Sequence, residues 1–95
     1  MLKMRIKIKY TAQLKKEIGI AEETVETESK TTIENLVIQL NNKHKMAFQN
    51  IVFSVEGKFL DAVLLIVNGK QVRYNSGLVL NNGDNLTIMS PIAGG

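Results

Sequence analysis

The stretch that decides the fold reads Leu80-Asn81-Asn82-Gly83-Asp84-Asn85-Leu86-Thr87-Ile88-Met89-Ser90-Pro91-Ile92-Ala93-Gly94-Gly95. Its Asn82-Gly83-Asp84 segment predicts a tight turn, because these residue types tolerate turn conformations. The alternation that follows predicts a strand over Asn85–Ser90. Pro91 has no N–H group and cannot extend a sheet ladder, so we expect it to end the strand. The stretch therefore predicts a folded domain over residues 1–90 and a flexible Gly-Gly tail over residues 91–95.

The tail ends in Gly94 and Gly95, which carry no side chains and fit a channel that bulkier termini could not enter. Residues 91–95 reach at most about 17 Å at roughly 3.4 Å each, enough to present an atom inside a neighbouring protein. Ser90 precedes a proline and is biased to extended conformations, so we expect it to aim the tail outward. Because a carboxylate is a poor acyl donor, any transfer through Gly95 requires prior activation.

Composition limits the chemistry of the chain itself. The 95 residues contain no cysteine, which excludes disulfides, thiolate metal sites and a cysteine nucleophile. Any sulfur must therefore come from another molecule. The longest apolar stretch, Ala62–Val67, is too short to span a bilayer, and residues 1–5 contain no hydrophobic signal core. We expect a cytoplasmic protein without a membrane partner.

The net charge of +3 and the pI near 9.3 would suit a basic roll that binds nucleic acid. The cations of the first strand, however, alternate with apolar residues, and they are Lys3, Arg5, Lys7 and Lys9. Glu26 and Glu28 lie on the matching face of the next predicted strand, where opposite charges attract across a hairpin. The pattern favours a solvated, charge-paired sheet face and no nucleic-acid partner.

The first half of the chain alternates between strand and helix signals. A period of two predicts a strand over Met4–Tyr10. A short helical turn follows, in which Leu14 and Ile18 face the core and Gly19 is the C-cap. A second strand is expected over Glu23–Glu28.

The main helix is predicted over Thr32–Lys43, because Thr31 and Glu34 have the spacing of a capping box. Its apolar stripe has helical spacing and comprises Ile33, Leu36, Val37 and Leu40. His44 lies at the negative end of this helix. No second ligand is in view, so no metal site is expected.

The second half predicts mainly strands. Residues 45–61 show no clean period, and we expect a helical turn and a short edge strand there. Ala62–Asn68 is apolar on both faces. This predicts a strand that is covered on both sides, or one that is covered on one side and presents an apolar docking face on the other. Asn68-Gly69 is a hairpin signal, followed by a brief strand at Gln71–Tyr74. Together the elements predict an α+β roll, with one main helix on one face of a mixed four- to five-stranded sheet.

Three stretches, Ile8–Gly19, Ala62–Val72 and Leu80–Gly95, resemble the β-grasp (ubiquitin-like) sulfur carriers, and within them most closely the small subunits of molybdopterin synthase. The likeness covers nearly the whole chain except residues 45–61. Three positions depart from the usual pattern: Thr11 stands for Phe, Asn82 for Asp and Ser90 for Pro.

This resemblance implies a non-catalytic carrier subunit that binds no cofactor of its own. A ubiquitin-activating-like adenylyltransferase would use ATP to adenylate Gly95, and sulfur from a separate donor would convert it to a thiocarboxylate. The tail would then thread into the large subunit of molybdopterin synthase within a heterotetramer, and its threading residues would be Pro91, Ile92, Ala93 and Gly94. The catalytic side chains would belong to the large subunit.

Partner docking should use the sheet face that the main helix leaves uncovered. Candidate anchors are Met89 with either Leu64 and Ile66 or the opposite parity of the same strand. Other functions also fit these features: a ubiquitin-like modifier conjugated through Gly95 to target lysines, a sulfur carrier for thiamine synthesis or tRNA thiolation, and a nucleic-acid-binding roll.

Overall fold

A computed structural model describes residues 3–91. Over this range the chain forms five strands and three helices in the order β1 (Lys3–Thr11), α1 (Ala12–Ile18), β2 (Glu22–Glu28), α2 (Ile33–His44), α3 (Met46–Val52), β3 (Leu64–Val67), β4 (Lys70–Val72) and β5 (Asn85–Met89). The predicted α+β architecture is confirmed, and the helical turn expected in residues 45–61 is found as the seven-residue helix α3.

The strands form one mixed sheet in the order β2-β1-β5-β3-β4. The first and last strands, β1 and β5, are neighbours at its centre and run parallel, while the other three pairs are antiparallel. Because β5 lies between β1 and β3, the segment that leads into the tail leaves from the middle of the sheet.

Strand β1 forms because its side chains alternate strictly between core and solvent. Its inward side chains join those of α2, α3 and the other strands in one core, whose fully buried members include Ile6, Ile8, Leu14, Ile33, Leu36, Leu40, Phe48, Leu65, Leu86 and Ile88. Leu14 is fully buried and Gly19 caps α1 with φ of 90°, both as predicted.

The capping box predicted from Thr31 and Glu34 is wrong by one residue. Helix α2 is capped by Thr32, whose Oγ1 accepts a hydrogen bond from the backbone N–H of Asn35 at 3.2 Å. Thr31 is buried instead, and its hydroxyl donates to the carbonyl of Glu28 at 2.6 Å. Thr31 is held in the turn after β2 because its own carbonyl also accepts from the N–H of Leu80.

Residues 45–61 fold around aromatic rings rather than around a periodic pattern. Helix α3 occupies the first part, and the expected edge strand is reduced to one bridge between Phe53 and Phe59. Phe59 stacks on Tyr74 with ring centroids 4.6 Å apart, and Phe53 meets both rings edge-on. These contacts join the loop to the segment that follows β4. The strand predicted over Gln71–Tyr74 is found as β4 and ends at Val72, so Tyr74 lies outside it.

The two predicted turns, at Asn68-Gly69 and at Asn82-Gly83-Asp84, are confirmed, and a hydrogen bond joins them. Asn68 and Gly69 have φ of 50° and 86° in the hairpin between β3 and β4, and the side chain of Asn68 donates to the carboxylate of Asp84 at 2.9 Å. The same amide accepts from the N–H of Asn85 at 2.9 Å. The start of β5 is thus fixed beside the β3–β4 hairpin. Across residues 3–91, no helix has both the length and the hydrophobicity needed to cross a membrane.

Candidate functional site

The root of the tail, Ser90-Pro91, lies where β5 emerges from between β1 and β3. Pro91 is exposed and follows the strand, which ends at Met89. The other predicted tail residues, Ile92, Ala93, Gly94 and Gly95, lie outside the described residues. Their threading role and the division of the chain at residue 90 therefore stay predictions.

Ser90 is buried, with 9% of its surface exposed. Its hydroxyl donates to the carbonyl of Thr11 at 2.7 Å and accepts from the backbone N–H of Leu14 at 3.0 Å. The sequence predicted an extended residue here and missed this anchor. No local signal could have revealed it, because the partners are 79 and 76 residues away.

The outer face of β3 and β5 is apolar beside this root. Leu64 pairs with Met89 across the two strands, and Ile66 pairs with Thr87 one step further on. The opposite parity of β3 lies in the core and consists of Val63, Leu65 and Val67. Leu64 and Ile66 are half-buried and Met89 is 38% exposed, so these three side chains form an outer patch. It adjoins the tail because Met89 immediately precedes Ser90.

The other half of the outer face, on β1 and β2, is ion-paired. The pairs are Lys3–Glu28 at 3.3 Å, Arg5–Glu26 at 3.9 Å and Lys7–Glu22 at 3.3 Å. Such exposed pairs contribute about 0 to 1 kcal/mol each, and they pair three of the four cations of β1, leaving Lys9. The outer face therefore divides into a charge-paired half and an apolar half.

Three exposed lysines flank the root of the tail. Lys9 precedes Thr11 on β1, and Lys15 and Lys16 lie on α1, which the Ser90 hydroxyl holds. Among the described residues, none of the three is in an ion pair. The end of the sheet from which the tail leaves therefore carries these three lysines together with one exposed carboxylate of α1, Glu17.

A second polar cluster joins the end of α2 to β2 and β1. The Glu23 carboxylate contacts His44 Nε2 and Lys43 Nζ, each at 2.6 Å, and accepts a hydrogen bond from the hydroxyl of Tyr10. Burial alone would raise the pKa of Glu23, but hydrogen bonds from Lys43, Tyr10 and His44 outweigh it and hold the pKa below its ordinary value. Burial, followed by the hydrogen bond to Glu23, raises the pKa of Tyr10. The cluster has the character of a structural clamp, and in residues 3–91 no group of three or more His, Asp or Glu side chains could hold a metal ion.

The profile of one known family, the ThiS family, matches residues 8–95. The chain belongs to the ThiS family. The match includes the Gly-Gly end and nearly all of the sheet, and it confirms the β-grasp sulfur-carrier family that the sequence resemblance implied. No curated protein sequence matches this ThiS-family chain.

Solved structures similar to this ThiS-family chain are also β-grasp proteins. SAMP1 from Haloferax volcanii superposes with a TM-score of 0.85 at 24% identity, covering 96% of this chain and 99% of that one. A putative molybdopterin converting factor, subunit 1, from Pyrococcus furiosus gives 0.75 at 24% identity, with 94% and 99% covered. Urm1 from Trypanosoma brucei gives 0.72 at 19% identity, with 100% and 99% covered. At these identities the likeness shows the fold, which is the ubiquitin-like roll.

Proposed function

We propose that this protein is a sulfur carrier whose Gly95 is adenylated and then converted to a thiocarboxylate. The observation that carries the proposal is the position of the tail root, which leaves the centre of the sheet between an outward apolar patch and three lysines. In a ThiS-family chain ending in two glycines, this arrangement suits a body that docks while its tip enters another active site.

The chemistry takes place in partner proteins. The carboxylate of Gly95 attacks the α-phosphorus of ATP, which releases pyrophosphate and leaves an acyl adenylate. Hydrosulfide, or a persulfide together with a thiol reductant, then displaces AMP and leaves –C(O)S⁻ on the terminal carbon. The carrier contributes the acyl group and its presentation, and turnover belongs to the adenylyltransferase, which binds the ATP.

The acceptor that we propose for the sulfur is a pterin precursor held by the large subunit of molybdopterin synthase, with this chain as the small subunit of a heterotetramer. Support comes from the resemblance of Leu80–Gly95 to that family and from the fold shared with the Pyrococcus furiosus protein. The thiocarboxylate sulfur is the nucleophile: it attacks a carbon of the precursor, displaces an oxygen leaving group from that carbon and forms an acyl thioester between Gly95 and the pterin. Water then attacks the acyl carbon, which leaves the thiolate on the pterin and returns the carboxylate of Gly95.

Docking through the outer patch offsets the cost of ordering the tail. Fixing flexible backbone costs about 1–2 kcal/mol per residue, so five threaded residues need compensating contacts elsewhere. Burial of Leu64, Ile66 and Met89 against an apolar partner surface supplies part of that energy, at roughly 25 cal/mol per Å² of apolar area. An acidic rim on the partner would complement Lys9 and Lys15.

A second candidate is a ubiquitin-like modifier conjugated through Gly95 to target lysines. The fold shared with SAMP1, which stands for small archaeal modifier protein 1, favours it, and the adenylation step is common to both functions. A sulfur carrier for thiamine synthesis or tRNA thiolation would also share that step and differ only in the acceptor.

The intact mass of the protein purified from its native cells tests the sulfur-carrier function against the modifier function, whatever the acceptor of the sulfur. We expect a species heavier by the exchange of one oxygen for one sulfur, mapped to Gly95 by fragmentation. A variant lacking Gly95 is the control and should show no such species. Lysine conjugates that disappear in the same variant would favour the modifier, while neither product in growing cells would contradict both candidates.

A further inference from the structure

The Ser90 hydroxyl bridges the two sides of a strained residue. Ala12 has φ of 53°, a left-handed conformation that residues with a Cβ adopt only when their surroundings impose it. The carbonyl of Thr11 immediately precedes Ala12, and the N–H of Leu14 follows two residues later; both bond the same Ser90 oxygen. The bridge thus spans the sharp turn from β1 into α1.

The same hydroxyl replaces a missing helix cap. Thr11 is the N-cap residue of α1, but its side chain makes no capping hydrogen bond. The N–H of Leu14, in the first turn of this seven-residue helix, is satisfied by Ser90 instead. Helix α1 and the root of the tail are therefore held as one unit.

Little freedom remains in the backbone at this root. Ser90 is fixed on one side by β5 and by its two hydrogen bonds, and the following proline restricts its conformation further. The ring of Pro91 fixes its own φ near −65°. Since the peptide bonds are planar, ψ of Pro91 is the first soft torsion after the sheet. The direction of the chain as it enters the tail is thus set jointly by β5, by the hydrogen-bonded Ser90 and by Pro91.

We propose that Ser90 is a positioning residue for tail delivery: its hydroxyl fixes the point and direction at which the tail leaves, so that a docked body presents the tail to the partner's channel. The inference rests on the proposed function. It predicts that loss of the hydroxyl lowers the rate within the docked complex and leaves docking itself intact, because the outer patch does not change.

Three variants test the bridge: Ser90→Ala removes the hydroxyl, Ser90→Thr retains one, and Ser76→Ala is a matched control in an exposed loop. Hydrogen exchange at the Leu14 amide reports the bond directly. The residual dipolar coupling of the Pro91 Cα–Hα bond reports the exit direction. In Ser90→Ala we expect faster exchange at Leu14 and a Pro91 coupling that no longer fits the alignment of the core. Ser90→Thr and Ser76→Ala should match the wild type in both measurements.

The activity readout is ATP–pyrophosphate exchange by the adenylyltransferase of the same cells. We expect Ser90→Ala to lower kcat about tenfold, because a misplaced reacting group slows the step within the complex. The KM for this protein as the substrate should not change, and Ser90→Thr should restore kcat. An unchanged kcat, a rise in KM alone, or an unchanged Pro91 coupling would overturn the positioning role while the carrier function stands. A wild-type protein that supports no exchange would overturn the proposed function, and the delivery role with it.

Discussion

His44 Nε2 lies 2.6 Å from the Glu23 carboxylate and thereby joins the last turn of α2 to the edge strand β2. A carboxylate only accepts hydrogen bonds, so the contact places a proton on Nε2 of His44. Lys43 and Tyr10 bond the same carboxylate, which is only 11% exposed. One anion from the second strand therefore closes the end of the helix over the sheet.

This clamp makes the free energy of unfolding fall as the pH is lowered into the acidic range. The folded-state pKa of Glu23 lies below its ordinary 4.5, so its contribution to stability is present above pH 4.5 and is lost as pH falls toward the lowered value. Glu23→Gln should reduce the free energy of unfolding by about 2 kcal/mol near neutral pH. The difference between wild type and variant should shrink in acid.

Chemical denaturation from about pH 3 to about pH 7 measures this difference. Glu56→Gln, in an exposed loop, is the control and should run parallel to the wild type across the range. A gap between Glu23→Gln and the wild type that stays constant with pH would contradict the clamp.

A lysine at Met89 should impair docking and spare the fold. Met89 is 38% exposed, so Met89→Lys should change the free energy of unfolding by no more than about 0.5 kcal/mol. The charge would have to be desolvated at an apolar interface, and we expect affinity for the adenylyltransferase or the large subunit to fall about tenfold or more. Calorimetric titration measures the affinity.

Thr24→Lys is the matched control, because Thr24 is exposed on the charge-paired half of the same face. Its affinity should match that of the wild type. If Met89→Lys instead lowers the melting temperature steeply, Met89 is a core residue and the outer patch has been misassigned.

Changes at the tip should abolish sulfur loading without affecting the body. Deletion of Gly95 leaves the terminal carboxylate on Gly94, one residue too short to reach the reacting position. Gly94→Val places a β-branched side chain beside the last residue and makes the end of the tail too wide for a narrow channel. Both should eliminate the thiocarboxylate product in a reconstituted loading reaction analysed by intact mass. Circular dichroism should remain that of the wild type.

A C-terminal extension is the complementary variant, because it keeps both glycines and buries the carboxylate in a peptide bond. Wild-type loading of an extended protein, with the extension still present by mass, would exclude Gly95 as the acceptor of sulfur.

The cap of α2 can be tested by two single substitutions. Thr32→Ala removes the side chain that accepts from Asn35 and should cost about 1 kcal/mol of unfolding free energy. Glu34→Ala should cost within about 0.5 kcal/mol, because the capping box that would have used this carboxylate does not form. Equilibrium urea unfolding measures both changes. A larger loss of unfolding free energy in Glu34→Ala than in Thr32→Ala would support a capping box that uses Glu34 and contradict the cap described here.

The features that the sequence predicted well are those encoded by near neighbours. The alternation of β1 and the Asn68-Gly69 turn depend on local backbone geometry, and both are found where expected. The orientation of β3 could not be predicted, because Leu64–Val67 is apolar on both faces. Only pairing with β5 and packing against the core decide which side chains face outward.

The features that the sequence missed depend on partners far along the chain. Thr31 and Thr32 both fit a cap, and the choice is made by the bond from Leu80 to the carbonyl of Thr31. His44 was interpreted through the helix dipole alone, whereas its main partner is Glu23 on another element. Ser90 was interpreted through the proline that follows it, and its hydroxyl bonds could not be foreseen.

The placement of β1 beside β5 couples presentation of the tail to completion of folding. Ser90 meets Leu14 across 76 residues, and contacts between such distant segments form slowly, because a long loop must close first. A chain that is still unfolded or misfolded has no anchored exit for its terminus. An activating enzyme that requires a docked, correctly aimed tail would therefore adenylate only folded molecules. Unfolded and misfolded chains would be excluded from activation by the same contacts that complete the fold.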